Sequence, residues 1–265
     1  MEGSKQKSIL LDSYFHDDPR PLVIFSHGFK GFKDWGHFNL IADLFFSKGF
    51  HFVKFNFSYN GTTPEHPMDF VDLEAFANNN FSIELNDLGL VIDDTITALG
   101  SRYEDIYLIG HSRGGGITLL KAAEDPRVKK IATWASVNEY GRFWNEETMS
   151  KWKREGKIEV FNGRTNQYMP LYYQLYEDYY ANQDRLYIPG IVPKITIPGL
   201  IVHAKDDPTV PAAFASELVS WNQNFELRLL ESGGHTFDGK HPWEAPALPA
   251  NSLNVCEETI RFFAS

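Results

Sequence analysis

The sequence has a single cysteine, Cys256, in 265 residues. One thiol excludes an internal disulfide framework and any zinc site built from cysteines. Long apolar runs are missing as well. Stretches such as Leu22 to Phe25 fall far short of the roughly 20 residues that span a bilayer. Positive charge is in deficit: 25 Lys and Arg stand against 35 Asp and Glu, a net charge of −10. Nucleic acids and anionic membranes are bound through basic stripes that displace counterions. No such stripe is present, so neither partner is expected. The acidic surplus is read as solubility, and no oligomeric state follows from it. Gly114-Gly115-Gly116 lacks the lysine and the spacing of a Walker or dinucleotide loop, and no cofactor or metal is expected. Met1 to Ser8 is polar and only Ile9-Leu10-Leu11 follows, so no signal peptide is visible and a cytoplasmic location is expected. A mature exported chain, its leader removed, has the same appearance.

What is present is ample core material, 43% hydrophobic residues against 23% charged. Short apolar runs alternate with helical patterns. Pro21 to His27 reads as a buried strand, and His37 to Lys48 as a helix with Leu40, Ile41, Leu44 and Phe45 on one face and Gly49 past its end. His51 to Tyr59 alternates as a strand, and Phe57 to Ser82 reads as a loop broken by Pro64, Pro67 and the Asn78-Asn79-Asn80 run. Ile83 to Leu99 is an amphipathic helix. Strands are expected at Asp105 to Gly110, Val128 to Val137, Ile197 to Ala204 and Phe225 to Leu230. Helices are expected at Gly115 to Glu124, Ala212 to Trp221 and Ser252 to Phe263, the last with Leu253, Cys256, Ile260 and Phe263 in register. This alternation predicts an α/β fold, a mostly parallel sheet with helices on both faces.

One stretch interrupts the pattern. From Asn138 to Pro193 the apolar content is aromatic, with Tyr140, Tyr168, Tyr172, Tyr173, Tyr176, Tyr179, Tyr180 and Tyr187, eight of the twelve tyrosines, joined by Phe143, Trp144, Trp152 and Phe161. It is too long for a simple crossover. The expected division is therefore a core of residues 1–137 and 194–265 with a cap inserted at 138–193.

The chemistry centres on Gly110-His111-Ser112-Arg113-Gly114, a G-x-S-x-G sequence between an apolar strand and a helix-compatible start. Small flanking residues allow the tight strand-to-helix reversal that exposes a serine hydroxyl beside a helix N-terminus. A serine is a weak nucleophile without a base and an orienting carboxylate. In the order expected on such a fold, the acid falls in Asp206-Asp207-Pro208-Thr209-Val210-Pro211. Asp207 is favoured because the proline-bounded turn follows it directly, and Asp206 is the alternative, or a helper that holds the turn. Of nine histidines only His235 and His241 come later. His235 follows Ser232-Gly233-Gly234 at a strand end and is the candidate base, whereas His241 sits in a surface-like Lys-His-Pro context. An oxyanion requires N–H donors, assigned here to the backbones of Arg113 and of Phe29 in His27-Gly28-Phe29-Lys30-Gly31.

Several other groups have plainer readings. His27 shapes the oxyanion loop. The Arg113 guanidinium pairs with the cap, with a substrate carboxylate, or in a surface ion pair. His16-Asp17-Asp18 lies in a proline-rich solvated loop, and Cys256 packs on the last helix.

In this order His27-Gly28-Phe29, Gly110-His111-Ser112-Arg113-Gly114-Gly115, Asp207 and His235 resemble the α/β-hydrolase superfamily, over essentially the whole chain apart from the insertion. The His27 to Gly31 segment and the Ser112 turn are most similar to dienelactone-hydrolase-like and feruloyl (cinnamoyl) esterases, the latter also carrying an inserted cap. The resemblance implies serine-dependent hydrolysis of small carboxylic esters without a cofactor. Arg113 departs from a common Gln, His203-Ala204-Lys205 from a His-Gly-Thr-like run, and Asn60-Gly61-Thr62-Thr63 from a glycine-serine turn, all of which bear on the substrate. The tyrosine-rich cap leads to the expectation of an apolar or aromatic acyl group. A peptidase or thioesterase uses the same triad, and a non-catalytic binding protein of this fold typically lacks one of its members.

Overall fold

A computed structural model describes residues 1–265. The central sheet has seven strands: β1 (Leu10–Tyr14), β2 (Arg20–Ser26), β3 (His51–Asn56), β4 (Tyr103–His111), β5 (Val128–Trp134), β8 (Gly199–Ala204) and β9 (Phe225–Leu230), in the order β1-β3-β2-β4-β5-β8-β9. All neighbours pair in parallel except β1, which runs antiparallel to β3 at the edge. The expected mostly parallel sheet is present. β1 had no counterpart in the sequence reading, because a five-residue edge strand with mixed burial has no clean period.

Period-two alternation distributes β2 between the two faces of the sheet. Leu22 and Ile24 pack on one side with Leu85, Leu88 and Ile117, from α3 (Phe81–Leu99) and α4 (Arg113–Glu124). Val23 and Phe25 pack on the other with Ile41 and Phe45 of α1 (Phe38–Ser47) and with Val255 and Cys256 of α10 (Ala250–Ala264). Removing a side chain such as Ile24 down to Ala costs about 2–5 kcal/mol by transfer and cavity terms. On α10 the buried face is Ser252, Val255, Cys256, Thr259 and Phe263, and Leu253, expected on that face, is exposed.

Three local expectations are corrected. β3 does not alternate between core and water: all six of its residues are buried. Its polar residues are satisfied inside the protein, with Lys54 fully buried between the carboxylates of Asp12 and Asp34. The segment read as a loop before residue 83 contains a short helix, α2 (Leu73–Ala77), whose first turn is capped by the Asp72 carboxylate accepting from Ala75 N–H at 2.9 Å. The Asn run is a helix start. Asn80 Oδ1 accepts from Ile83 N–H at 2.9 Å, a cap that stabilises α3 by about 1 kcal/mol. β5 stops three residues short of Val137, where Ala135 takes a left-handed φ of 49°.

Between β5 and β8 the chain forms α5 (Glu146–Glu155), an antiparallel hairpin of β6 (Lys157–Asn162) and β7 (Gln167–Tyr172), α6 (Gln174–Ala181), α7 (Gln183–Leu186) and α8 (Ile188–Ile191). Its aromatics pack largely on one another. Trp144 meets Trp152, Tyr176 and Tyr179, and Tyr140 stacks on Phe81 of α3 with ring centroids 3.7 Å apart. Between β8 and β9 lies α9 (Ala213–Trp221). No helix is long and apolar enough to cross a membrane.

Candidate active site

Ser112 stands between the end of β4 and the start of α4 with φ 55° and ψ −119°. A non-glycine residue there carries strain of about 1–3 kcal/mol, held by the surrounding bonds. Ser112 N–H donates to the Trp134 carbonyl at 2.8 Å, and its own carbonyl accepts from Gly115 at 3.0 Å and Val137 at 3.3 Å. The reversal leaves no room for side chains beside it. A Cβ on Gly110 would lie 2.2 Å from the Gly114 carbonyl oxygen, and one on Gly114 2.4 Å from the carbonyl oxygens of Ser26 and His27.

The loop after β9 brings His235 across the end of the sheet. Its Nε2 lies 2.9 Å from Ser112 Oγ, and its Nδ1 lies 2.8 Å from Asp207 Oδ2. An ionised carboxylate only accepts, so Nδ1 carries the proton and Nε2 is left to accept from the Ser112 hydroxyl. Asp207 follows β8 and its side chain is wholly buried. Its Oδ1 accepts from Thr209 N–H at 2.8 Å and Val210 N–H at 3.0 Å, the two donors of the proline-bounded turn. His203 Nε2 stands 3.1 Å from Oδ2 and 2.9 Å from the Val210 carbonyl, one N–H between two acceptors. Burial alone would raise the Asp207 carboxyl. The hydrogen bonds from His203 and then His235, the charge of His235, and the Val210 N–H outweigh it and hold Asp207 far below the usual carboxylate range. Asp206 faces elsewhere and accepts from the backbone N–H groups of Gly233 and Gly234.

His111 was not singled out in the sequence. Its Nε2–H donates to the main-chain carbonyl of His235 at 2.8 Å. Burial, reinforced by the neighbouring His235, lowers its pKa to about 3, so it stays neutral. Nothing in the local pattern marks such a contact between residues 124 apart in sequence.

The Phe29 and Arg113 backbone N–H groups donate to no backbone acceptor. The peptide before Phe29 is held from its other side. The Gly28 carbonyl accepts from His27 Nδ1–H at 2.8 Å and from Gly31 N–H at 3.0 Å. In a trans peptide the N–H points opposite to the C=O, so these two donors fix the direction of the Phe29 N–H. Burial lowers the His27 pKa to about 4 and keeps its ring neutral.

A cavity of about 220 Å³ opens on Ser112 and His235 and is lined by Phe29, Trp35, Phe38, Lys30, Asn162 and Arg164 among others. Its aromatic wall comes from the segment between β2 and α1, not from the tyrosines of residues 138–193. Tyr140 and Tyr179 are buried against Phe81 of α3, Tyr168, Tyr180 and Tyr187 are exposed, and the segment reaches the cavity through Asn162 and Arg164 of its hairpin. The Arg113 side chain also departs from the readings offered above. It is buried, donates through Nε to Glu84 Oε2 at 3.0 Å, and lies 4.5 Å from the Phe81 ring and 5.3 Å from the Phe29 ring. His241 accepts at Nδ1 from Gly36 N–H and is a loop support. His16 stacks on Phe46 and Asp18 pairs with Arg20.

Among solved structures, the chain is similar to the esterase Est1E from Butyrivibrio proteoclasticus with ferulic acid bound (TM-score 0.72, 20% identity, covering 97% of this chain and 93% of that one). It is similar to α/β-hydrolase domain-containing protein 10 from mouse (TM-score 0.70, 16% identity, covering 100% and 98%). The chain has the α/β-hydrolase fold. A monoacylglycerol lipase from Paleococcus ferrophilus also superposes on this chain (TM-score 0.67, 14% identity, covering 96% and 98%). No protein-family model and no curated protein matches the sequence. At these identities the likeness carries the fold alone.

Proposed function

We propose that the protein is a serine hydrolase of small carboxylic esters, with Ser112, His235 and Asp207 as its catalytic triad. The observation that carries this reading is the unbroken relay from Ser112 Oγ through His235 to Asp207, at 2.9 and 2.8 Å, on the floor of an open cavity. That structural neighbours are named as an esterase and a lipase supports it.

In this mechanism Ser112 Oγ attacks the ester carbonyl carbon while its proton passes to His235 Nε2. Asp207 keeps the proton on Nδ1 and stabilises the imidazolium that forms. The Phe29 and Arg113 N–H groups receive the oxyanion, each worth roughly 10²–10³ in turnover. Collapse of the tetrahedral intermediate returns the proton to the leaving alcohol, and water repeats the sequence on the acyl-enzyme. Every proton and electron pair is accounted for by these groups and water, so the reaction requires no cofactor. Residues 138–193 act as a cap on the core of residues 1–137 and 194–265. Phe29, Trp35 and Phe38 provide the contact for an apolar or aromatic acyl group, a role expected of the cap tyrosines before their packing was seen.

A fluorophosphonate probe tests the assignment. Covalent labelling of the wild type and its loss in Ser112→Ala are expected, followed by turnover of 4-nitrophenyl acetate in the wild type alone. A folded wild type that neither labels nor turns over the ester would overturn the reading.

A further inference from the structure

Two cations at the mouth of the Ser112 cavity have no carboxylate to pair with. This is unexpected in a chain with ten more acidic than basic residues. Arg164 sits in the turn joining β6 to β7, where its backbone N–H donates to Asn162 Oδ1. Its guanidinium lies over Phe32 and Phe70, 5.0 and 5.4 Å from the ring centroids. The only protein acceptor for its side chain is the Met68 carbonyl, at 3.4 Å from Nη2. The field of Asp69 reaches it without forming an ion pair. A guanidinium has five N–H donors in a planar fork, and here only Nη2 has a protein acceptor.

Lys30 is the second cation. It follows the oxyanion loop with a left-handed φ of 57°, and its Nζ donates to the Phe161 carbonyl at 3.1 Å. That bond ties the loop that carries the Phe29 N–H to the hairpin that carries Arg164. Both side chains line the same cavity as Ser112 and His235. Aromatic faces hold the guanidinium without using its edge, which leaves the fork free for bidentate pairing with a planar anion. At about 220 Å³ the cavity suits a small substrate better than a drug-sized one.

We propose that Arg164, assisted by Lys30, binds an ionised carboxylate at the far end of the acyl chain while its apolar methylenes lie against Phe29, Trp35 and Phe38, so that the preferred esters are half-esters of short dicarboxylic acids. The inference rests on the ester-hydrolase reading above and names the substrate class of that site.

The test compares kcat/KM for 4-nitrophenyl hydrogen glutarate with that for its neutral counterpart, 4-nitrophenyl pentanoate. In the wild type the ratio is expected above one. It should fall at least tenfold in Arg164→Gln and further in Arg164→Glu, with Lys30→Gln lowering it to a smaller extent. A wild-type ratio below one, or one unmoved by both Arg164 substitutions, overturns the carboxylate subsite. Binding is read separately by titrating monomethyl glutarate and methyl pentanoate into Ser112→Ala. Preferential binding of the acid there supports the subsite even where the wild type neither labels nor turns over, an outcome that would fall on the hydrolase reading alone. Equal or absent binding of both compounds counts against the subsite. If Arg164→Gln fails to fold, Lys30→Gln and the Ser112→Ala titration decide the question.

Discussion

Asp206 and Asp207 are neighbours in sequence and turn their carboxylates to different parts of one loop. Asp207 accepts the Nδ1 proton of His235, while Asp206 accepts the backbone N–H groups of Gly233 and Gly234 just before it. One holds the ring and the other holds the chain that carries the ring.

The two substitutions should therefore separate. Asp207→Asn replaces an acceptor with an amide that cannot hold the His235 tautomer, and a loss of kcat on the order of 10⁴ is expected. Asp206→Asn keeps an oxygen for the loop and should cost only a few-fold. Steady-state hydrolysis of 4-nitrophenyl acetate measures both, and the reverse order would assign the acid to Asp206.

In the proposed mechanism His27 would act on the reaction through the Gly28 carbonyl. His27→Phe keeps the bulk but removes the Nδ1–H donor, leaving the Gly28–Phe29 peptide less fixed. A fall in kcat of about 10- to 100-fold with little change in KM is expected, since in the proposed mechanism the N–H it positions serves the oxyanion and not the ground state. In His27→Asn the amide stands close to where Nδ1 was, and it should restore part of the loss. Equal kcat in all three proteins would show that the Phe29 N–H needs no such support.

Acid should destabilise the fold before carboxylates of ordinary pKa titrate, with only Glu84 and Asp87, raised by burial, working the other way. Burial depresses the pKa of His27 and His37 to about 4 and, with His235 beside it, that of His111 to about 3. In the unfolded chain each titrates near 6.5, so between these limits the unfolded state binds more protons and stability falls as pH falls. Each group contributes up to about 1.4 kcal/mol per pH unit in that window. Asp207, depressed from its ordinary value, adds to the loss only below about pH 4. Thermal unfolding followed from pH 7.5 to 4.5 should show a progressive drop below about pH 6.5, shallower in His111→Gln. A midpoint that does not move over this range would contradict the burial of these rings.

Much of the framework was legible before any coordinates. The strand-to-helix turn at Ser112 announces itself because its steric demands are met by residues within four positions, Gly110 and Gly114. Six of the seven strands of the sheet, all but β1, were readable from apolar runs and alternation, and so were five of the helices flanking it. Edge strand β1 and helix α2 escaped because five-residue elements carry too few residues for a period to emerge. Lys54 misled for a different reason. A lysine in an alternating strand normally faces water, and here Lys54 is enclosed by Asp12 and Asp34, brought there from other parts of the chain.

The sequence by itself determined the class of fold, the candidate nucleophile and the order of its partners, because backbone period and turn sterics are local properties. Tertiary structure decided which of two adjacent aspartates meets His235, where Arg113 sends its guanidinium, and which aromatics border the cavity. Each of these is a contact between side chains that approach only when distant strands are stacked and loops closed over their ends. The tyrosines make the point. Their composition suggested a substrate wall, yet Tyr140 and Tyr179 are buried against α3, Tyr168, Tyr180 and Tyr187 face outward, and the cavity received instead the Arg164 turn of a hairpin whose pattern carried no signal of its position.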